Sequence, residues 1–394
     1  MLKISKPKKI NVKLFDYIIV GGGLSGLHLS YFLIKDKYFK NHSILILEKD
    51  KPKNKDHYFS YWESGHGNWD SILKNKWNKG EFFSKLGKIQ MDFSNYNYKT
   101  LSSLKFRKFV IESVNKQRKF KFINDVVLNI REEKNKVIVV GNKKNYLAKH
   151  VFDSRLSEKN FNEIKHHTYL KQHFVGWVIK TNKKIFNKNS FVFMDYRIRD
   201  KKSTAFTYVL PFKKDEALIE HTYFSKNECD KKVYEKYIIE YLKKYYSDTS
   251  YEIIKSEFGT IPMTTYPFYK KSTKNITKIG TVGGWVKAST GYSFKNCEKY
   301  SLKIIDNIKK GKALRIIPKK RYYFLDKILL GVLSKYNNRG ETIFYRLIKR
   351  NSTKKILQFL DEESKPLDIL KIIFSMRSIH FILIFFKSLF KKAL

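Results

Sequence analysis

The run Gly21-Gly22-Gly23-Leu24-Ser25-Gly26 follows FDYIIV (15–20) directly and leads into Leu27–Lys37, which reads as a helix. Glycines spaced as Gly21-x-Gly23-x-x-Gly26 between a strand and a helix are the fingerprint of a dinucleotide site. Gly21 permits the tight turn, and Gly23 lets the backbone approach a pyrophosphate. Gly26 lets the helix pack on the strand, while Ser25 and the free N–H groups of the helix start face the anion. A second buried strand, SILILEK (43–49), ends on Glu48, 22 residues after Gly26. A carboxylate there can accept both ribose hydroxyls of an adenosine and repels a 2′-phosphate. The chemistry is that of FAD or NAD, and NADP is disfavoured.

A later glycine-rich segment favours FAD. ITKIGTVGGWVKASTGYSF (276–294) reads as a strand entering Gly280, then Gly283-Gly284, then a Ser289-Thr290-Gly291 turn opening a helix over 295–310. A late strand–glycine–helix unit can hold a ribityl chain, with its backbone N–H groups against the pyrimidine edge of an isoalloxazine. Gly283, Gly284, Ser289, Thr290 and Gly291 are therefore placed with Gly21, Gly23, Ser25, Gly26 and Glu48 as cofactor-binding residues. Many flavoproteins carry an Asp just after the first glycine of this unit; Thr281 and Val282 stand there instead.

The elements that must position these residues fall into four stretches. Residues 14–170 open a Rossmann-like FAD domain. Residues 171–272 are dominated by β-like runs such as QHFVGWVIKT and ALIEHTYF, interrupted by a helix over 232–246. Residues 273–310 return to the FAD domain, and 311–394 are helical and basic. The expected fold is α/β: a Rossmann-like domain with an inserted β-sheet substrate domain and a helical C-terminal region.

Composition narrows the partners. The chain has 81 Lys+Arg against 36 Asp+Glu, a formal charge of +45. The lysines are spread along the whole sequence, whereas a nucleic-acid binder concentrates them in a patch or tail; no nucleic-acid partner is expected. Lysine filling every free surface position explains most of the excess. A membrane surface, worth roughly 1 kcal/mol per Lys or Arg near anionic lipid, is the remaining partner. Cys229 and Cys297 are too few for a disulfide framework. The basic first fifteen residues lack the apolar stretch of a signal peptide, and a cytoplasmic, peripherally membrane-associated protein is expected. In ILKIIFSMRSIHFILIFFKSLFKKAL (369–394) the longest run free of charged side chains is residues 378–386, between Arg377 and Lys387. That is too short for a spanning helix of about 20 residues, so the segment either lies in a membrane interface or packs on the protein. The histidines, among them His166, His167, His173 and His221, show no metal spacing.

The chain resembles the bacterial type of the lycopene β-cyclase family over roughly residues 15 to 305. The resemblance is carried by HFVGWVIKT (173–181), MDYR (194–197), YVLPF (208–212), ALIEHTYFS (217–225), GTIPMT (259–264) and GGWVKASTGYSF (283–294), in family order around the same glycine fingerprint. Where the family has a Thr-Trp-rich run this chain has HYFSYWE (57–63), with Phe59 in place of an indole.

The resemblance implies an isomerase of carotenoid biosynthesis that cyclises the ψ-end groups of lycopene, or a similar acyclic carotenoid, to β-rings. A proton adds to the terminal double bond, the neighbouring alkene attacks the tertiary cation, and a proton is lost from the new ring. Such a site needs an acid in an apolar pocket, a means of stabilising positive charge, and exclusion of water. The implied acid/base is Glu220 in Leu218-Ile219-Glu220-His221-Thr222, where strand alternation puts Leu218, Glu220 and Thr222 on one face. Reduced FAD would stabilise the cation without being consumed, with NADPH or NADH supplying its electrons. Trp177, Tyr196, Phe206, Tyr208, Trp285 and Tyr292 are the expected aromatic lining. Asp195–Arg197 and Asp153–Arg155 could be salt bridges or could hold the flavin region. The alternatives are an FAD-dependent monooxygenase, halogenase or isoprenoid reductase of the same fold, and a basic membrane- or RNA-associated protein built on a decayed nucleotide unit.

Overall fold

The computed structural model describes residues 13–49, 56–134, 136–157, 162–164, 167–376 and 378–390; most of the basic N-terminal stretch, His166 and Arg377 lie outside these. The first sheet is built on β1 (Leu14–Val20), β2 (Ile44–Glu48), β8 (Phe120–Asn124) and β11 (Asn145–Asp153), all parallel, in the order β8-β2-β1-β11. Antiparallel β10 (Lys136–Gly141) and β9 (Val127–Glu133) continue from one end of β11. Alternation along β1 divides its side chains between two cores. Tyr17 and Ile19 face helices α1 (Leu24–Lys35), α2 (Ser103–Asn115) and α4 (Phe294–Lys309), while Ile18 and Val20 face Val137, Val139 and Tyr146 of the β9–β11 meander. The late glycine segment returns to this sheet through β17 (Ile276–Lys278), which runs parallel to the end of β11 with Val151 opposite Ile276.

The second sheet has the order β16-β12-β15-β14-β13-β5-β6. Its long strands are β12 (Tyr169–Thr181), β14 (Thr204–Pro211), β15 (Glu216–Ser225) and β16 (Tyr251–Thr264), with β13 (Phe191–Asp195) beside them. β5 (Lys79–Ser84) and β6 (Gly87–Asp92) join from the first part of the chain. One face is covered by α3 (Lys231–Tyr245), which buries Tyr234, Ile238 and Tyr241 against Val175, Ile219 and Tyr223. α3 starts on Asp230, whose side chain accepts from the Lys232 N–H, an N-cap of the usual kind.

The opposite face of that sheet looks onto a cavity. A small third sheet, β3 (Tyr58–Ser64), β7 (Tyr96–Ser102) and β4 (Asn75–Trp77), closes one side. The helices α5 (Lys320–Lys335), α6 (Gly340–Arg350), α7 (Thr353–Leu360), α8 (Pro366–Ser375) and α9 (Ile379–Phe390) close another. No helix among the described residues is long and apolar enough to cross a membrane. α8 and α9 pack on the body of the protein with one face and leave apolar side chains exposed on the other. Ile369, Ile372 and Ile384 are buried, whereas Leu367, Phe374, Ile379, Ile382, Leu383 and Phe386 stand in solvent.

Candidate active site

The first half of the site is the turn between β1 and α1. Gly21 has φ +104°, a conformation in which a side chain is strained. A Cβ on Gly26 would collide with the Gly21 carbonyl oxygen, so Gly26 is what lets α1 leave the strand at this angle. Gly23, the N-cap of α1, has open space where its Cβ would be. That opening, lined by the unpaired N–H groups of the first helical turn, is the cradle an anion needs. Glu48 at the end of β2 accepts from the Gly22 N–H at 2.5 Å through Oε2. Ser154 Oγ and Ser25 Oγ crowd Gly21 and Gly280 respectively, bringing the early and late glycine segments together.

The second half is the cavity, about 650 Å³, between the second sheet and the C-terminal helices. Its walls are almost wholly apolar and aromatic: Phe206, Tyr208 and Phe224 from the sheet, Tyr98 and Phe59 from the third sheet, and Leu329, Phe344 and Leu357 from the helices. Ser289, Thr290, Gly291 and Tyr292 of the late glycine segment line the same cavity. Thr290 Oγ1 is buried there without a hydrogen-bond partner, a polar atom left for a bound group to satisfy. Gly291, at φ +75°, fits against Gln172, which a side chain would strike.

Into this cavity projects Glu220 of β15. Its cross-strand neighbours are Tyr208 on β14 and Gly176 on β12. Thr222 Oγ1 donates to Oε1 at 2.7 Å, and no cation among the described residues contributes to its environment. Burial pushes the carboxyl up to about 7, only partly opposed by the Thr222 hydrogen bond, so near neutral pH a large share of it holds a proton. Beside it Tyr208 Oη donates to Tyr98 Oη at 2.7 Å, and Tyr98 Oη lies 3.2 Å from Tyr292 Oη. Burial holds all three phenols well above their ordinary range, so the rings stay neutral.

Three aromatic residues expected in the lining are elsewhere. Trp177 is one residue out of step with Gly176, so it points to the other face of the sheet and packs in the core under α3. Tyr196 lies behind the wall, against Phe82 and Phe206. Trp285 is fully buried beneath the late glycine turn against Tyr300. Phe206, Tyr208 and Tyr292 do line the cavity. The two Asp–Arg pairs are local bridges: Arg197 binds Asp195 between the rings of Phe83 and Tyr245, and Arg155 binds Asp153, which Lys278 also reaches. His221 stacks on Tyr237 on the α3 side. Among the described residues no group of His, Cys, Asp or Glu is placed to hold a metal ion.

The profile described as lycopene cyclase protein matches residues 16–384. The chain belongs to the lycopene cyclase family. No curated protein sequence matches it significantly. In solved structures the same fold recurs at low identity. A geranylgeranyl bacteriochlorophyll reductase-like protein from Thermoplasma acidophilum superposes with TM-score 0.56 at 12 % identity, covering 92 % of this chain and 96 % of its own. A tryptophan halogenase from Shewanella frigidimarina gives 0.58 at 10 %, covering 92 % and 89 %. A flavoprotein/dehydrogenase from Cytophaga hutchinsonii gives 0.56 at 10 %, covering 88 % and 92 %. These likenesses establish the mixed α/β fold.

Several residues of this family member's site carry no signal in a single sequence. Arg107 on α2 donates through Nη1 to the Gly22 carbonyl at 2.8 Å, putting a cation beside the glycine turn and Glu48. Asp326 on α5 accepts from Ser289 Oγ at 2.6 Å and from buried Lys287 at 3.0 Å, tying the late glycine loop to the C-terminal helices. Trp62 donates to both carboxylate oxygens of Asp361 at 2.9 Å. All of these are contacts across long stretches of chain, and no local spacing announces them.

Proposed function

We propose that this chain is a lycopene β-cyclase, an isomerase that closes ψ-end groups of lycopene into β-rings with no net oxidation or reduction. The observation that carries the reading is Glu220: a carboxyl in a large apolar, aromatic cavity, with no cation beside it among the described residues, facing the loop that would hold a flavin. FAD would be held by Gly21, Gly23, Ser25 and Gly26 at its pyrophosphate, Glu48 at its ribose, and Gly283, Gly284, Ser289, Thr290 and Gly291 along its ribityl and ring, with Arg107 as a further contact. Bound in its reduced form, with NADPH or NADH as the source of electrons, it supplies an electron-rich ring that favours nearby positive charge.

The protein's own residues do the rest. Protonated Glu220 gives its proton to the terminal alkene; the π pair forms the new C–H bond and leaves a tertiary cation. The faces of Phe206, Tyr208 and Tyr292 surround the cation, and such contacts are worth up to about 2 kcal/mol each when desolvated. The next alkene closes the ring, and the Glu220 carboxylate takes back the proton lost from it. The apolar lining keeps out water that would quench the cation.

The substrate itself argues for a peripheral membrane position. Phe374, Ile382 and Phe386 both line the cavity and stand exposed on α8 and α9, so the cavity mouth lies on an apolar surface. Lys365, Lys371 and Lys387 are exposed around that surface, suited to anionic lipid. An end group could pass from the bilayer to Glu220 without crossing bulk water.

Expression in a lycopene-accumulating bacterium, followed by chromatography of its carotenoids, tests the reading. Appearance of γ- or β-carotene is expected. Unchanged lycopene beside folded, flavin-loaded protein would overturn it.

A further inference from the structure

Beside the cavity, on the sheet that carries Glu220, lies a buried carboxyl that the cyclisation does not use. Glu257 of β16 stands opposite Gly176 of β12, and Gly176 stands opposite Glu220 of β15. Residues in register share a face of the sheet, so both carboxyls stand on the same face with Gly176 on the strand between them. A side chain at Gly176 would meet Leu218 Cδ1 at 3.0 Å and Glu257 Cγ and Oε1 at 3.2 Å, so the Glu257 side chain leans over Gly176 toward the Glu220 strand, beside the Leu218 methyl. The two carboxyls are close enough for the charge of Glu220 to act on Glu257.

On its other side Glu257 reaches toward solvent. Oε2 accepts from the Tyr58 N–H at 3.2 Å and lies 3.8 Å from His57 Nδ1, whose side chain is 40 % exposed against 3 % for Glu257. The neighbouring cation, Lys255, is engaged by Asp56 at 3.0 Å. Burial, and next the charge of Glu220, push Glu257 up to about 8, so it too holds a proton near neutrality. A glycine in the middle of a central strand weakens it, and a buried carboxyl is costly. The Tyr58 hydrogen bond alone would anchor β3 to β16 without setting a second carboxyl across Gly176 from Glu220.

We infer that Glu257 is a positioning residue that exchanges protons between solvent and Glu220, by way of His57. This rests on the reading of Glu220 as the acid. Glu257 passes its proton to the Glu220 carboxylate and is recharged through His57 from water. A proton returned to Glu220 from the ring leaves by the reverse path. Protons balance over each turnover, and nothing is oxidised or reduced.

The test is deuterium incorporation during many turnovers in D2O, with flavin-loaded protein and unlabelled lycopene in liposomes. Wild type is expected to place close to one deuterium per ring, at the carbon protonated first. In Glu257→Gln, which keeps an acceptor for Tyr58, Glu220 reuses the hydrogen taken from the previous ring, and the label should fall at least twofold. His57→Gln should show the same fall, and it provides the readout if Glu257→Gln does not load flavin. Full labelling in both variants, or none in wild type, would overturn the exchange path. Flavin-loaded Glu257→Gln that forms no rings in either solvent would put Glu257 in the chemistry itself and overturn a positioning role. Wild type that forms no rings would instead remove the cyclase reading, and the path with it.

Discussion

Glu220 concentrates the chemistry because its surroundings are one-sided. Apolar burial raises its pKa, and only the Thr222 hydroxyl opposes the shift. Glu220→Gln keeps the size and the Thr222 contact but has no proton to give. Ring formation should drop by at least the 10²–10⁴-fold typical of a lost general acid, with flavin absorbance unchanged. Since the protonated carboxyl is the active form, the cyclisation rate in wild type should fall as pH rises through about 7, approaching tenfold per unit. The same shift couples to stability. A carboxyl whose folded pKa is about 7, against an ordinary 4.5, favours the folded state only while protonated, and the advantage is lost as pH rises through 7. Relative to wild type, Glu220→Gln should therefore melt at a higher temperature at pH 9 than it does at pH 4. A Tm difference that does not grow with pH would contradict the burial argument.

Among the elements, those set by local rules were legible in the sequence. The β1–glycine–α1 unit, the helix expected over 232–246 and found at Lys231–Tyr245, and the return strand near 276 follow from periodicity and turn chemistry. Register between strands is not local. Trp177 fits a lining motif by type, yet it pairs with Ile219 on the face that α3 covers, and a shift of one position decides which face it serves. For the same reason Glu257 passes unnoticed: only the ladder Glu220–Gly176–Glu257 brings it to the site. The glycine turn makes a sharper prediction. Gly23→Val puts a side chain into open space, so the apo protein should fold with a near-normal Tm and lose its flavin. Gly26→Ala strikes the Gly21 carbonyl, so its Tm should fall as well. Flavin content and thermal melts separate the two.

At the scale of the whole molecule, one cavity joins the late glycine segment, Glu220 and the exposed apolar residues of α8 and α9. Replacing Phe374 and Phe386 with Asp should weaken flotation with anionic liposomes and slow cyclisation of liposome-borne lycopene by tenfold or more, with flavin content unchanged. Unaltered flotation would mean that this face meets no lipid. What separates a cyclase from the other flavoproteins of this fold is a redox-neutral reaction. The direct measurement is anaerobic: protein with its flavin reduced once, excess lycopene in liposomes, no further reductant, and a count of rings formed per flavin. Many rings per flavin, with the flavin still reduced at the end, is the predicted result. At most one product per flavin, with the flavin left oxidised, would contradict it and place the chain among enzymes that spend the flavin's electrons on their substrate.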